Sequence, residues 1–323
     1  MVVLSAIGVL GIIGLICGIL LALAAKLFYV AVDQKIIDVR NALPGANCGG
    51  CGYPGCDGMA AAIASGAAPV NGCPVCNESA YEQIANIMGV KAEVGEKKVA
   101  HVMCRGCDGV AVKKYEYFGI NDCKAASAVA GGDKACNKGC LGFGTCVNVC
   151  DFDAISIVDG VAVIDKEKCV SCGKCIEVCP KSVIAFVPKS QDVIVNCNNI
   201  DFGKAVKEVC KVGCIGCKMC EKNCPFDAIH VENNLAKIDY EKCKQCMICT
   251  EKCPTRAISG ELSKRKKAVI DKKKCAGCTV CAKKCPVQAI EGELKMAHKV
   301  IEDKCIGCGE CASKCPKKAI EMK

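Results

Sequence analysis

Five times in its second half the chain repeats one string: three cysteines spaced by two residues, a fourth after three more, then proline. The copies are Cys169-Cys172-Cys175-Cys179-Pro180, Cys214-Cys217-Cys220-Cys224-Pro225, Cys243-Cys246-Cys249-Cys253-Pro254, Cys275-Cys278-Cys281-Cys285-Pro286 and Cys305-Cys308-Cys311-Cys315-Pro316. Cysteines two residues apart on a tight loop aim their sulfurs at one centre, which suits a soft metal and strains a disulfide. With 35 cysteines in 323 residues the chain has the density of a disulfide scaffold. It is too long, and its spacing is wrong, for the short secreted class in which that density occurs.

Zinc is the rival metal because it too accepts four thiolates, but zinc sites pair two CxxC knuckles across a longer loop. The compact run matches a 4Fe4S cluster and resembles the ligand run of bacterial-type ferredoxins, in which three cysteines hold one cluster and the fourth reaches a second. The copies also come in twos, with 18 residues between Cys224 and Cys243 and 19 between Cys285 and Cys305, enough for a short hairpin. The resemblance implies four sets: Cys214, Cys217, Cys220 with Cys253; Cys243, Cys246, Cys249 with Cys224; Cys275, Cys278, Cys281 with Cys315; and Cys305, Cys308, Cys311 with Cys285. The copy at Cys169 needs a partner, and an irregular run supplies one. Cys136, Cys140, Cys146 and Cys150 end in Asp151-Phe152-Asp153-Ala154-Ile155, parallel to Pro225-Phe226-Asp227-Ala228-Ile229. Read as a degenerate ferredoxin half, it gives Cys136, Cys140, Cys146 with Cys179, and Cys169, Cys172, Cys175 with Cys150. Phe152, Phe186 and Phe226 follow ligands and are expected to shield the metal from water, since burial and hydrogen bonds to sulfur tune potential.

At the other end, residues 1–25 carry no charge and are long enough to cross a bilayer as a helix. Lys26, Lys35 and Arg40 follow, which argues that this side stays in the cytoplasm. A cleaved signal peptide is the alternative, with Ala22-Leu23-Ala24 as a loose cleavage site. Against it stand the lack of a basic residue ahead of the apolar run and the need of a cluster-rich body for a reducing compartment. Gly8, Gly11, Gly14 and Gly18 fall on one helix face where another helix could approach. Next comes Cys48-Gly49-Gly50-Cys51-Gly52-Tyr53-Pro54-Gly55-Cys56, whose glycines let backbone wrap closely around a cluster. An alanine-rich helix over 59–67 is expected, with Asp57 as its cap. Cys73 before Pro74 is the preferred fourth ligand, and Cys76 competes.

An anchor, CGGCGYPGC with a downstream cysteine, and an array of ferredoxin motifs together resemble the B subunits of Rnf complexes, membrane-bound ion-translocating ferredoxin:NAD oxidoreductases. The four-cysteine segment is also similar to one in the corrinoid iron-sulfur protein of acetyl-CoA synthesis, which lacks the anchor and the array. The resemblance spans the chain, with 254–323 an extension of the kind found in clostridia-like forms. It implies an electron-relay subunit with soluble ferredoxin as donor, and membrane and flavoprotein subunits as neighbours. Electrons would enter at the carboxyl-terminal module and leave near Cys48 to Cys73. A polyferredoxin-like relay of a membrane hydrogenase or reductase is the runner-up; a zinc-organised interaction scaffold is the reading from another class.

Twenty-eight cysteines fill seven clusters, leaving Cys17, Cys76, Cys104, Cys107, Cys123, Cys197 and Cys210. Cys17 reads as a small apolar residue of the anchor. Cys104, Cys107 and Cys123 have the look of three ligands seeking a fourth in Cys197 or Cys210. An eighth cluster and buried thiols are both open readings.

No P-loop and no strand-linked GxGxxG is present, so no dinucleotide or flavin site is expected on this chain. Lys113-Lys114-Tyr115-Glu116-Tyr117-Phe118 interleaves basic and aromatic residues, but at 4% aromatics a packed strand is the better reading than nucleic-acid binding. The net charge of +9 lies in the last 70 residues, which hold 17 basic and 8 acidic side chains. Seven oxidised clusters of roughly 2− each would bring that to about −5. The lysines then partly offset the clusters they surround; the functional reading is that the basic run Lys264 to Lys274 is expected to form a docking face for an acidic ferredoxin.

The expected fold is α+β, with these boundaries: a transmembrane anchor (1–29), a small helical 4Fe4S domain (30–90), an irregular cysteine-containing linker domain (91–135) and three tandem two-cluster ferredoxin modules (136–190, 191–260 and 261–323). The protein is expected in the inner membrane, single-pass, with its body in the cytoplasm.

Overall fold

The computed structural model describes residues 2–28, 33–91 and 95–323. The chain forms two compact units, Met1–Val94 and Gly95–Lys323. In the first, helix α1 (Val2–Leu27) has a mean hydropathy of 2.4 over Leu10–Leu27, and that stretch is not buried. Among the described residues it is the one helix long and apolar enough to cross a membrane. Residue 29, where the expected span ends, lies outside the described residues.

Helices α2 (Gln34–Ala42), α3 (Gly55–Ala64) and α4 (Glu78–Met88) pack around a core of Val39, Met59, Ala60, Ile63 and Ile84 that also takes in Cys56, Cys73 and Cys76. Asn77 caps α4, its Oδ1 accepting from the Ala80 amide at 2.8 Å, and left-handed Gly89 ends it. Asp57 does not cap α3, contrary to the sequence reading. The helix starts earlier because Asn47 Oδ1 takes the Cys56 amide at 2.8 Å. Asp57 therefore lies inside the first turn, where its carboxylate suits the helix dipole and receives Arg40 Nε at 2.7 Å.

The second unit repeats one arrangement: an outer strand, a cysteine loop opening a short helix, a hairpin, a second cysteine loop and helix, and a closing strand antiparallel to the first. The first repeat contains β1 (Lys98–Val102), α5 (Cys123–Ala128), α6 (Thr145–Asn148), the hairpin β2 (Ile155–Val158) and β3 (Val161–Ile164), α7 (Lys174–Val178) and β4 (Ile184–Pro188). Here β1 pairs with β4 from Lys98↔Pro188 to Val102↔Ile184. The second has β5 (Ile194–Val195), α8 (Gly203–Val209), α9 (Met219–Lys222), β6 (Ile229–Glu232), β7 (Leu235–Ile238), α10 (Ile248–Lys252) and β8 (Ile258–Ser259), with β5 on β8. The third has β9 (Ala268–Ile270), α11 (Val280–Lys284), β10 (Ile290–Glu291), β11 (Lys299–Val300), α12 (Glu310–Ser313) and β12 (Ile320–Met322), with β9 on β12.

Strand β1 lies in the segment expected as a separate linker domain, yet its hydrogen bonds go to β4 of the first repeat. The stretch Lys113 to Phe118 is not a strand. Val112 bonds Val209 and Ala135 while Lys114 bonds Asp133, so the partners change along the chain and only isolated bridges form, Ala111↔Cys210 and Lys113↔Lys134.

Apolar burial is thin. The third repeat's buried core is Ala268, Cys281, Ile290, Val300, Cys311 and Ile320, two of them cysteines. A core of that size does not hold a module of this length together unaided, so metal binding must supply folding energy. Removing iron by chelation is accordingly expected to abolish the far-ultraviolet circular dichroism of the second unit; a native spectrum after iron loss would show that the apolar core suffices.

Gly142 packs against the β2–β3 turn at φ +79°, where a Cβ would stand 2.3 Å from the Gly160 carbonyl oxygen. Gly144 has φ +77° with nothing nearer than 4.0 Å. Gly144→Ala should cost only the left-handed strain of about 1–2 kcal/mol. Gly142→Ala should cost more, because backbone must move. Anaerobic thermal unfolding checks this: the Gly142→Ala variant melts lower, and equal melting points would contradict the assigned contact.

Candidate metal centres

Each regular cysteine run is shaped by three left-handed residues. One precedes the second cysteine (Ser171, Gly216, Gln245, Gly277, Gly307), one follows it (Gly173, Lys218, Met247, Thr279, Gly309), and one stands third after the fourth cysteine (Ser182, Asp227, Arg256, Gln288, Lys318). Such turns curl the chain so that backbone amides face inward toward sulfur. Ala289 donates to Cys285 Sγ at 3.2 Å, Ala319 to Cys315 at 3.3 Å and Ala228 to Cys224 at 3.4 Å. The irregular run has the same three residues in Gly142, Gly144 and Asp153. That register makes Cys140 the first position, Cys146 the third and Cys150 the fourth, and puts Phe143 where the others have their second cysteine.

Two of the expected four-cysteine sets line cavities of their own. Cys150, Cys169, Cys172 and Cys175 surround about 340 Å³ beside Phe152. Cys285, Cys305, Cys308 and Cys311 surround about 320 Å³. In the second repeat the electrostatic neighbours include the cysteine of the other run as well. Burial pushes the Cys220 thiol up to about 11, helped by the charges of Cys214, Cys217 and Cys253. Burial pushes Cys249 up to about 12, with Cys246, Cys243, Cys220 and Cys224 adding to it. Cys281 is raised by burial and then by Cys275 and Cys278, and Cys315 packs in the same core. In the first repeat, burial drives Cys175 to about 12, with Cys169, Cys172 and Cys150 beside it. These thiols resist ionisation until a cation replaces the proton.

The spacing speaks to the kind of metal. Among the described residues no three His, Cys, Asp or Glu side chains could share a single metal ion. A tetrahedral zinc with bonds of about 2.3 Å would bring its sulfurs to roughly 4 Å from one another. Two motif sets line largely apolar cavities of about 340 and 320 Å³, a donor set that suits a polynuclear iron-sulfur group. All 35 cysteines are unbridged.

In the first unit, Gly49, Gly52 and Gly55 take left-handed conformations around Cys48, Cys51 and Cys56. Cys73 and Cys76 are both buried and hydrogen-bonded to each other. The Cys76 thiol holds Cys73 down at about 6, while that bond, burial, and the charges of Cys73, Cys56 and Cys51 push Cys76 up. The two sulfurs therefore lie side by side, with Cys51 and Cys56 near Cys76.

The sequence groups Cys136 with Cys146. Cys136 lines a third cavity, of about 420 Å³, together with Cys104, Cys197 and Cys210. The neighbours of Cys146, whose thiol burial pushes to about 12, are Cys140, Cys123, Cys175 and Cys179. Cys123 is held there by its amide, which donates to Thr145 Oγ1 at 2.6 Å. A signal for this register was present in the sequence: Cys140 to Cys146 is the same length as Cys214 to Cys220, with Gly-Phe-Gly in place of Gly-Cys-Lys. Cys107 packs against the first repeat's core, and Cys17 is exposed on α1.

Family models match these regions: an Fe-S cluster family at residues 43–75, a 4Fe-4S binding domain at 162–185, and 4Fe-4S dicluster domains at 213–258, 242–289 and 268–322. The chain is 52% identical over 265 residues to the B subunit of the Na(+)-translocating ferredoxin:NAD(+) oxidoreductase complex of Acetobacterium woodii, covering 82% of this chain and 80% of that one. It is 45% identical to the B subunit of the ion-translocating oxidoreductase complex of Methanosarcina acetivorans, over 80% of this chain and 98% of the relative. It is likewise 45% identical to the B subunit of the proton-translocating ferredoxin:NAD(+) oxidoreductase complex of Clostridium ljungdahlii, over 79% and 91%. Iron-sulfur ligand runs, ferredoxin-type domains and relatives matched over most of their length all agree, and the chain belongs to the family of B subunits of the Rnf ion-translocating oxidoreductase complexes.

Proposed function

We propose that the chain relays electrons from reduced, acidic ferredoxin through 4Fe4S clusters to the membrane and flavoprotein subunits of an ion-translocating ferredoxin:NAD+ oxidoreductase. The observation that carries this is that cysteine sets of successive repeats adjoin one another. Cys308 is raised by burial and also by the charge of Cys246, so the last two repeats meet at their cysteine loops, where Lys244 and Glu310 pair at 4.0 Å. Within the first repeat, Cys146 adjoins Cys175. A bound 4Fe4S cluster supplies one-electron transfer at a potential set by its surroundings. The chain's own residues fix the sulfurs, exclude water with Phe152 and the strand residues, and aim amides at the thiolates.

Seven sites have support. Three tandem two-cluster modules, bracketed by β1 and β4, β5 and β8, and β9 and β12, hold six. The seventh uses Cys48, Cys51, Cys56 and Cys73; the Fe-S family match ends at residue 75 and so includes Cys73 and not Cys76. Helix α1 serves as the single span, with Lys26 and the cluster-bearing body on the cytoplasmic side. It has no carboxylate, and the relay reading assigns ion transport and NAD chemistry to the other subunits.

In membranes holding the whole complex, Cys73→Ala is expected to lower ferredoxin-dependent NAD reduction at least a hundredfold and to remove about four iron per chain, whereas Cys76→Ala keeps both. The reverse pattern would make Cys76 the ligand, and full activity in both variants would take this site out of the electron path.

Exposed Lys264, Lys266, Lys272, Lys273 and Lys274 form the proposed ferredoxin face. Lys264 and Lys274 are partly offset by Glu261 at 2.7 Å and Asp271 at 3.7 Å, which leaves Lys266, Lys272 and Lys273 as the side chains to change. Replacing these three by glutamate should slow the second-order reduction of the chain by ferredoxin roughly tenfold at low salt and flatten its salt dependence. Unchanged stopped-flow kinetics would place docking elsewhere.

A further inference from the structure

We infer that Cys104, Cys136, Cys197 and Cys210 hold an eighth 4Fe4S cluster between the first two repeats, and that Cys123 takes the place in the Cys140, Cys146 and Cys179 set that Cys136 does not fill. The inference rests on the relay reading above and adds a site outside every cysteine run of ferredoxin type.

The cavity itself is the first argument. It is larger than the two spaces lined by motif cysteines, about 420 Å³ against about 340 and 320 Å³, and like them it is lined by four cysteines. The four come from separate loops: Cys104 follows β1, Cys136 stands ahead of Cys140, Cys197 follows β5 and Cys210 ends α8.

The local backbone is the second. In the motif loops, Cys140, Cys243, Cys246 and Cys308 each accept the amide two residues on, from Gly142, Gln245, Ile248 and Glu310. The four cavity cysteines do the same, with Gly106, Lys138, Asn199 and Val212. Further donors converge on these sulfurs. The Cys140 amide reaches Cys104 Sγ at 3.4 Å, and Asn199 Nδ2 reaches Cys136 Sγ at 3.5 Å. Gly106 brings backbone close to two of these sulfurs, since a Cβ there would stand 3.6 Å from Cys104 Sγ and 3.7 Å from Cys210 Sγ.

Charge is the third. Lys134 is buried at the cavity edge, its ammonium donating to the carbonyls of Gly106 at 2.9 Å and Gly160 at 2.7 Å. A buried cation is costly unless anionic charge lies near it, and a thiolate-ligated cluster supplies that charge. Taking up a preassembled 4Fe4S core, each thiol would release one proton and form one iron-sulfur bond.

The site has a clear use. Cys197 adjoins Cys214 of the second repeat as well as Cys136, while Cys104 adjoins Cys140 of the first. A cluster here joins the two repeats' cysteine sets.

The test uses the full chain, purified anaerobically in detergent, with iron, zinc and acid-labile sulfide counted per chain beside the spin count of the reduced protein. The wild type should hold about 32 iron with matching sulfide, four per cluster. The double variant Cys104→Ala/Cys210→Ala should lose about four of each and one reduced-cluster spin, and Cys107→Ala should lose none. Single Cys136→Ser serves where the double variant misfolds, with an oxidised three-iron EPR signal as the expected sign of one lost ligand. About 28 iron in the wild type, or no loss in the double variant, overturns the eighth site and leaves the relay standing. Several zinc with no sulfide overturns both.

Discussion

The structure depends on buried cysteine sulfur that cannot stay uncompensated. Left-handed turns set the thiols of each run, and where these are buried, as at Cys175 and Cys249, burial opposes the thiolate and neighbouring thiolates oppose it further. The cysteine-lined spaces take the place of the apolar core that a repeat of some 60 residues would otherwise need. Folding and metal binding are therefore one equilibrium in the second unit. The short strands and one-turn helices serve mainly to hold six loops in register around their sulfurs.

Much of this is legible in the sequence because the ligand runs are local. Spacing within each run sets the loop, proline after the fourth cysteine ends it, and the interval between runs sets the hairpin. The departures are of two kinds. Counting cysteines makes Cys136 the first member of the irregular run; the backbone aligns that run by length, with Phe143 in the second place. A count hides a substituted ligand, whereas the left-handed Gly142 and Gly144 reveal it. The second kind is long range. Nothing local says that Lys98–Val102 would close a sheet with Ile184–Pro188, or that Cys197 and Cys210 would return to the side of Cys104. In the first unit Asn47, nine residues before Cys56, displaces Asp57 from the cap, another contact that propensity does not encode.

Function follows from the order in which cysteine sets adjoin. The third repeat meets the second through Cys308 and Cys246, and the second meets the first through Cys214, Cys197, Cys136 and Cys104. The excess positive charge sits at the third repeat, the far end of that series in the second unit. On the proposed reading a diffusing anionic donor would be steered to that end, and the remaining cysteine sets would give its electrons somewhere to go. No residue of this chain needs to touch NAD or the transported ion for that role.

The most direct test is to mix the oxidised, anaerobically purified chain with reduced ferredoxin in a stopped-flow instrument and follow bleaching of the visible iron-sulfur absorbance. The account predicts that each chain takes up several electrons, with ferredoxin oxidised in step. A chain with no visible chromophore, or one that leaves ferredoxin reduced, would contradict it.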